Sequence, residues 1–230
     1  TTADKIFGIL EIGDVKQIDK KDAQELHALH IKNLSKSYGD RQLFTHLNLD
    51  VQAGQKVLIK GPSGCGKSTL FRLITGEEIA DEGEIIGVTT VNESTSSFVS
   101  SIGIISQHPF LFNDTVRYNL TLGQEFSEEE LLAVLKQVKL DFELTGGLDF
   151  IIKNNGENIS GGQRVRIELA RFLLRRKNLL LADEVTATLD KENALMVHEL
   201  LFSLPVMMLE IAHHIDDESR YQQVVDLGKY

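Results

Sequence analysis

The first part of the chain alternates apolar and polar residues. From LHALHIKNLSKSYG to LFTHLNLDVQAGQKVLIK, residues 26 to 60, Gly-containing turns interrupt the alternation. This pattern is typical of an antiparallel sheet. GEIIGVTTV (83 to 91) and SIGIISQ (101 to 107) have the composition of further strands. We therefore predict a β-rich N-terminal region.

Two later segments are continuously apolar. LLLAD (179 to 183) is typical of a strand in a sheet that is covered on both faces, and VMMLEIA (206 to 212) predicts another strand. TLFRLIT (69 to 75) has helical spacing. Strands and helices alternate along this part of the chain. The pattern indicates an α/β domain with a parallel core, into which a mainly helical segment is inserted at about 113 to 175.

The clearest helix within the inserted segment is FSEEELLAVLKQVKL, residues 126 to 140. Ser127 and Glu130 have the spacing of a capping box, and Phe126 can pack onto Leu131 as a hydrophobic staple. This helix therefore has a defined start.

The N-terminal residues differ from the rest of the chain. ADKIFGILE (3 to 11) is amphipathic, and DVKQIDKKDAQE, which follows shortly after, is charged and without a period. We expect the end of a helix followed by a linker, so that residues 1 to 27 connect to a segment further upstream and residues 28 to 230 form the domain. The absence of an initial Met also suggests a piece of a longer chain.

Composition excludes several classes of function. The net charge of −10 argues against a surface that binds nucleic acid, which needs a basic footprint. The sequence has no apolar run of 18 or more residues, and we expect no signal peptide within it. A single cysteine, Cys65, excludes an internal disulfide and fits a reducing cytosol.

A glycine-rich stretch follows the apolar run VLIK and precedes the helical TLFRLIT. It fits the pattern G-x-x-x-x-G-K-[ST], in which backbone N–H groups and a helix N-terminus surround the phosphates of a nucleotide. A lysine in this loop reaches the β- and γ-phosphates and a hydroxyl holds Mg²⁺. The residues predicted to bind the nucleotide here are Gly61, Pro62, Ser63, Gly64, Cys65, Gly66, Lys67, Ser68 and Thr69.

Two further groups of residues point to ATP chemistry. Asp183 ends the strand LLLAD and Glu184 follows it directly. At this place one acid can complete a Mg²⁺ site and the next can polarise the attacking water. ISGGQ (159 to 163) begins another helix. There Ser160 and Gln163 have capping-box spacing, and Gly161 and Gly162 leave backbone N–H groups open to an anion.

Taken together, these motifs resemble the nucleotide-binding domain of an ATP-binding cassette (ABC) transporter. The resemblance covers about residues 3 to 228 and implies a P-loop NTPase fold with a RecA-like core, an N-terminal antiparallel β-subdomain and an inserted α-helical subdomain. It implies ATP and Mg²⁺ as ligands. The resemblance implies that Tyr38 stacks on adenine and that ISGGQ and Asp190 in ATLD contact the nucleotide. It implies catalytic roles for Glu184, for His213 in EIAHH and for Gln107, which would also contact Mg²⁺ or water.

Two stretches are similar to the exporter type of this family. They are QHPFLFNDTVRYNL (107 to 120) and ADKIFGILE. The resemblance implies a transmembrane domain upstream in the same polypeptide, and a homodimer or a pair of half-transporters that enclose ATP. It also places the domain at the cytoplasmic face of the plasma membrane.

Some positions depart from the family pattern. Ile159 replaces the usual Leu, Asn154 stands where exporters often have Glu, and His214 follows His213 where Arg is usual. The change at Asn154 affects the expected coupling to the membrane domain. Two alternative functions stay open on sequence, a soluble ABC ATPase that acts on DNA or ribosomes and a regulatory module that binds ATP without hydrolysing it.

Overall fold

The structure is a computed structural model that describes residues 25–90, 93–94, 97–140, 144–212, 215 and 217–230. Residues 1 to 24, which include the helix predicted at 3 to 11 and most of the predicted linker, lie outside the described residues, as does His213. The described residues contain nine strands, β1 (Leu26–Tyr38), β2 (Arg41–Gln52), β3 (Lys56–Lys60), β4 (Glu82–Thr89), β5 (Glu93–Ser94), β6 (Ile102–Ile105), β7 (Leu179–Asp183), β8 (Met207–Ile211) and β9 (Gln223–Asp226).

The described part of the chain also contains five α-helices, which lie between β3 and β8 in the sequence. They are α1 (Lys67–Thr75), α2 (Val116–Thr121), α3 (Glu128–Gln137), α4 (Gly161–Leu174) and α5 (Lys191–Ser203). Short 3-10 turns occur at Ser97–Ser101, Gly147–Asp149, Asn154–Gly156, Glu218–Arg220 and Leu227–Lys229. Among the described residues, no helix has both the length and the apolar character that crossing a membrane requires.

The strands form two sheets. The first is antiparallel, with the order β2-β1-β4-β5, and the second is parallel, with the order β6-β7-β8-β3-β9. The predicted α/β fold with a parallel core and an N-terminal antiparallel region is confirmed. Helices α2, α3 and α4 lie within the stretch 113 to 175 where the insertion is predicted.

The parallel sheet separates two hydrophobic clusters. Along β7, Leu180 and Ala182 belong to the cluster that contains the buried residues of α3 and α4. Leu179 and Leu181 belong to the other cluster, with the apolar residues of α1 and of the antiparallel sheet. Since neighbouring residues of a strand face opposite sides, a continuously apolar strand is what a sheet covered on both faces requires.

Helix α3 confirms the predicted start. Ser127 Oγ accepts from the Glu130 N–H and Glu130 Oε2 accepts from the Ser127 N–H, at 3.2 and 2.9 Å. Phe126 is partly buried against the cluster that contains Leu131. Each hydrogen bond satisfies a backbone donor that the helix itself cannot satisfy.

The register of the parallel sheet sets the position of the candidate site. Asp183 of β7 lies opposite Ile211 of β8, which in turn lies opposite Ile59 of β3. Ile105 of β6 lies opposite Ala182. The residues that follow these four strands therefore leave the sheet at the same edge, at the carboxyl ends of the strands, where open α/β sheets bind ligands.

Candidate functional site

The glycine-rich loop joins β3 to α1, as predicted. Gly66 precedes the helix with φ 103° and ψ 13°, and it provides no side chain to cap the first turn. Lys67 Nζ donates to the carbonyl oxygens of Gly61 and Pro62, at 2.8 and 3.2 Å. The ammonium group therefore lies over the loop, next to backbone N–H groups at a helix N-terminus, and this arrangement suits a phosphate.

Other residues of the loop are held by its own contacts. The Cys65 N–H donates to the Pro62 carbonyl at 3.3 Å. Thr69 is buried and its Oγ1 accepts from Arg72 at 3.2 Å. Ser63 is exposed. These contacts fix the loop from within and leave its outer surface open.

Ser68 and Asp183 meet although 115 residues separate them in the sequence. The Ser68 hydroxyl donates to Asp183 Oδ2 at 3.4 Å. A hydroxyl and a carboxylate oxygen at this distance are hard oxygen donors of the kind that Mg²⁺ prefers. Mg²⁺ usually completes its coordination with waters and substrate phosphates, so the two residues fit a Mg²⁺ that is bound together with a nucleotide.

Glu184 and Gln107 lie at the same edge of the sheet. Glu184 has φ 49°, a left-handed conformation that is uncommon for a residue with a Cβ, and its N–H donates to the Ile211 carbonyl at 2.9 Å. Gln107 is partly exposed two residues beyond β6. Strain of this kind often accompanies functional positions, which agrees with the predicted role of Glu184.

Tyr38 ends β1 with 44% of its surface exposed. Its hydroxyl donates to Glu78 Oε2 at 3.0 Å, and Lys36 Nζ lies 5.2 Å from the centre of its ring. Hydrogen bonds from Lys36 and then from Tyr38 lower the pKa of Glu78. The ring is thus oriented by its hydroxyl while remaining accessible for stacking.

The ISGGQ motif begins α4 with the predicted capping box. Ser160 Oγ accepts from the Gln163 N–H at 3.1 Å, and Gln163 Oε1 accepts from the Ser160 N–H at 2.9 Å. A hydroxyl has one donor hydrogen besides its lone pairs. Because this cap uses Ser160 as an acceptor, the hydrogen of the exposed hydroxyl is available to a further acceptor.

Asp190 lies beside this motif. Its carboxylate caps α5, accepting from the N–H and the side-chain amide of Asn193 at 3.0 and 2.6 Å. These hydrogen bonds hold the pKa of Asp190 below its usual value. A Cβ added at Gly162 would lie 2.6 Å from Asn193 Oδ1. The structure therefore brings Asp190, through Asn193, together with ISGGQ.

Two hydrogen bonds near the site were not predicted, because no motif in the sequence indicates them. Arg41 Nη2 donates to the Gly64 carbonyl at 2.9 Å, which connects the loop to the hairpin that carries Tyr38. Glu168 on α4 accepts from the Ser106 N–H at 3.0 Å. Burial raises the pKa of Glu168 to about 7, although the Ser106 N–H and Arg171 both act to lower it.

Residues 44–187 match the family model described as "ABC transporter". An ATP-dependent lipid A-core flippase of Francisella tularensis subsp. holarctica (strain OSU18) is 36% identical over 230 residues, which cover 96% of this chain and 38% of that protein. A protein of the same name from Desulfotalea psychrophila is 37% identical over 240 residues, covering 99% of this chain and 42% of its own length.

A solved structure is also similar, that of a bacterial Atm1-family ABC exporter with ATP bound. The TM-score is 0.75 at 30% sequence identity, and the match covers 89% of this chain and 38% of that chain. This chain therefore spans about two fifths of the length of these relatives.

Proposed function

The chain belongs to the ABC transporter family, as an ATP-binding and ATP-hydrolysing domain of the exporter type, and from this we propose that it drives transport across a membrane by dimerising around ATP. The observation that carries the proposal is the contact between Ser68 and Asp183 beside the phosphate loop. This contact brings a hydroxyl and a carboxylate, both suitable Mg²⁺ ligands, next to the loop that would bind the triphosphate.

Within one chain, Tyr38 would stack on the adenine and Lys67 would contact the β- and γ-phosphates. Ser68 and Asp183, with Gln107 nearby, would hold Mg²⁺, which supplies positive charge that stabilises the charge developing on the phosphates. The hydrogen bonds that Lys67 makes to loop carbonyls would be exchanged for stronger charge-assisted bonds to phosphate oxygens.

Hydrolysis would depend on Glu184 and His213. The Glu184 carboxylate would orient the attacking water or accept its proton, and the His213 side chain would contact the γ-phosphate. The left-handed backbone of Glu184, held by the hydrogen bond to Ile211, would give this carboxylate a fixed starting point. Both assignments rest on the family order of the motifs.

The second half of the site would come from a partner copy or a paired half-transporter. Ser160, Gly161, Gly162 and Gln163 of one chain would contact the γ-phosphate bound by the other, and Asp190 would support them across the dimer. The Ser160 hydroxyl is suited to this role because its cap leaves the donor hydrogen for an oxyanion. ATP would then hold the two chains together, and its hydrolysis would release them.

Coupling to transport would require a transmembrane domain upstream, with residues 1 to 27 as the connection and this domain, residues 28 to 230, at the cytoplasmic face of the plasma membrane. The helical subdomain, at about 113 to 175, would transmit the movement. Two relatives are named lipid A-core flippase. An amphiphilic lipid is therefore the substrate class that we propose to test first.

The dimer can be tested with one pair of variants. Glu184→Gln removes the hydrolytic carboxylate and one negative charge beside the γ-phosphate. We expect this variant to form a dimer in gel filtration with Mg-ATP but not with Mg-ADP. The wild-type chain should dimerise only transiently.

Adding Ser160→Arg to this variant should abolish the dimer while the monomer still binds ATP, because Ser160 would contact only the partner's nucleotide. A double variant that still dimerises, or a monomer that no longer binds ATP, would contradict the two-chain site.

A further inference from the structure

Two side chains of α4 contact opposite ends of the segment that contains Gln107. Glu168 Oε2 accepts from the N–H of Ser106, directly before Gln107, at 3.0 Å. Arg171 Nη1 donates to the carbonyl of Phe110, three residues after Gln107, at 2.7 Å. Glu168 and Arg171 are three residues apart on a helix and therefore lie on the same face.

Arg171 is itself fixed by a third element. Its Nε donates to the Asn119 carbonyl at 2.5 Å and its Nη2 donates to Asn119 Oδ1 at 2.8 Å. Asn119 is fully buried in α2, and its side-chain amide exchanges hydrogen bonds with the N–H and carbonyl of Phe112, at 2.8 and 2.9 Å. The segment from Ser106 to Phe112 is thus bonded to α4 and α2 along its length.

The helix also packs directly on the strand that leads to Gln107. A Cβ added at Gly103 of β6 would lie 2.2 Å from the ring of Phe172. The absence of a side chain at Gly103 therefore allows close contact between α4 and β6. With this packing, a shift of α4 would be transmitted to the backbone around Gln107.

We propose that Glu168 is a positioning residue for hydrolysis, which sets the backbone before Gln107 relative to the helix that begins at ISGGQ. The inference rests on the proposed function, since it takes Gln107 as a residue of the nucleotide site. Glu168 acts through the Ser106 N–H and does not contact the substrate. One helix thus carries ISGGQ at its N-terminus and, through Glu168 and Arg171, bonds to the backbone on both sides of Gln107.

The test compares Glu168→Met with Glu168→Gln. Both side chains have nearly the length of Glu and are good helix formers, but only Gln keeps an oxygen that can accept from the Ser106 N–H. Glu199→Gln removes an exposed carboxylate that pairs with Arg220 on another surface, and serves as the control for loss of charge. Thermal unfolding of each variant would first establish that it folds.

We expect Glu168→Met to lower kcat for ATP at least about fivefold, the factor that corresponds to the net value of one hydrogen bond. KM for ATP should stay within about twofold, because the groups that bind the nucleotide are unchanged. Glu168→Gln and Glu199→Gln should keep at least about half of the wild-type kcat. Equal losses in the Met and Gln variants, or a change in KM alone, would overturn the proposal.

Amide hydrogen exchange gives a second measurement that does not need turnover. The protection factor of the Ser106 amide should fall about fivefold or more in Glu168→Met and stay within about twofold of wild type in Glu168→Gln. Unchanged protection in the Met variant would overturn the proposal. A wild-type chain that hydrolyses no ATP would contradict the proposed function instead, while the exchange data would still decide whether Glu168 holds this backbone.

Discussion

Helices α1 and α4 both begin at glycine-rich turns, but their first turns are completed in different ways. Helix α1 follows Gly66, in a left-handed conformation and without a side-chain cap. Helix α4 follows Ser160, whose reciprocal hydrogen bonds with Gln163 satisfy two backbone donors. In a first turn without a side-chain cap, the backbone N–H donors are left for a ligand. In a capped first turn, side chains of the same chain already satisfy some of these donors.

This difference agrees with two separate tasks. Helix α1 begins with Lys67 and Ser68, and Ser68 contacts Asp183. This N-terminus therefore has the groups to hold a nucleotide by itself. The start of α4 is preformed, with a hydroxyl hydrogen for one further contact. We infer that the first N-terminus binds the chain's own nucleotide and that the second recognises a nucleotide bound by another chain.

The largest expected effect comes from adding a methyl group at the first N-terminus. Gly66→Ala would force a Cβ into a left-handed backbone, 3.1 Å from Leu43 Cβ and from the ring of Phe44. We expect ATP affinity to fall about 10- to 100-fold, the equivalent of about 1–3 kcal/mol of strain. Titration with a fluorescent ATP analogue would measure it.

The matching change at the second N-terminus is Ser160→Ala. It should lower the free energy of unfolding by about 1 kcal/mol, as the loss of an N-cap does, and leave ATP binding to the monomer within about twofold of wild type. Urea unfolding and the same titration would measure both. If Ser160→Ala weakened monomer binding as much as Gly66→Ala, the distinction between the two N-termini would be wrong.

The histidine at position 213 should affect turnover rather than nucleotide binding. His213→Ala should lower kcat at least about tenfold, a loss of about 1.4 kcal/mol of transition-state stabilisation. His214→Ala should keep most of the activity, because EIAHH aligns its first His with the family's. Steady-state ATPase assays of both variants would decide, and the opposite ranking would show that the register is wrong by one residue.

The stability of the folded chain should depend on pH through Glu168, which bonds α4 to the backbone at Ser106. The pKa of Glu168 is about 7 in the folded chain, above its ordinary value of 4.5. Between these values the folded chain keeps a proton that the unfolded chain releases. The stability that this proton contributes is therefore complete below about pH 4.5 and is lost as the pH rises to about 7.

Glu168→Gln removes this dependence. Relative to wild type, its free energy of unfolding should rise by on the order of 1 kcal/mol between pH 5 and 8, as the pH passes through the folded-state pKa, and then stay constant. Urea unfolding at several pH values would measure the difference. Parallel curves for wild type and Glu168→Gln would exclude ionisation of Glu168 in this range.

The smallest effect is expected at Asn154, in the 3-10 turn Asn154–Gly156 of the helical region. Asn154 is exposed and its amide donates to Glu157 Oε2 at 3.1 Å. Asn154→Glu should leave the basal ATPase rate of this chain within about twofold, because the position is proposed to serve coupling. A large change in the basal rate would assign it to catalysis instead.

Local patterns determined much of this protein. The phosphate loop, the capping boxes at Ser127 and Ser160 and the buried strand that ends at Asp183 were all predicted from a few neighbouring residues. Such features depend on backbone geometry and hydrogen bonds within one turn or strand, and these are encoded locally. The order of the motifs then indicated the family.

The contacts that join distant segments needed the tertiary structure. Ser68 meets Asp183 across 115 residues, and Glu168 bonds to Ser106 across 62. Arg41 reaches Gly64 through the folding of a hairpin. The hydrophobic pattern of the sequence does not predict these pairs, because they depend on sheet register and on how closely a helix packs against a strand. The sequence by itself determined the chemical groups of the site, and packing decided which of them meet.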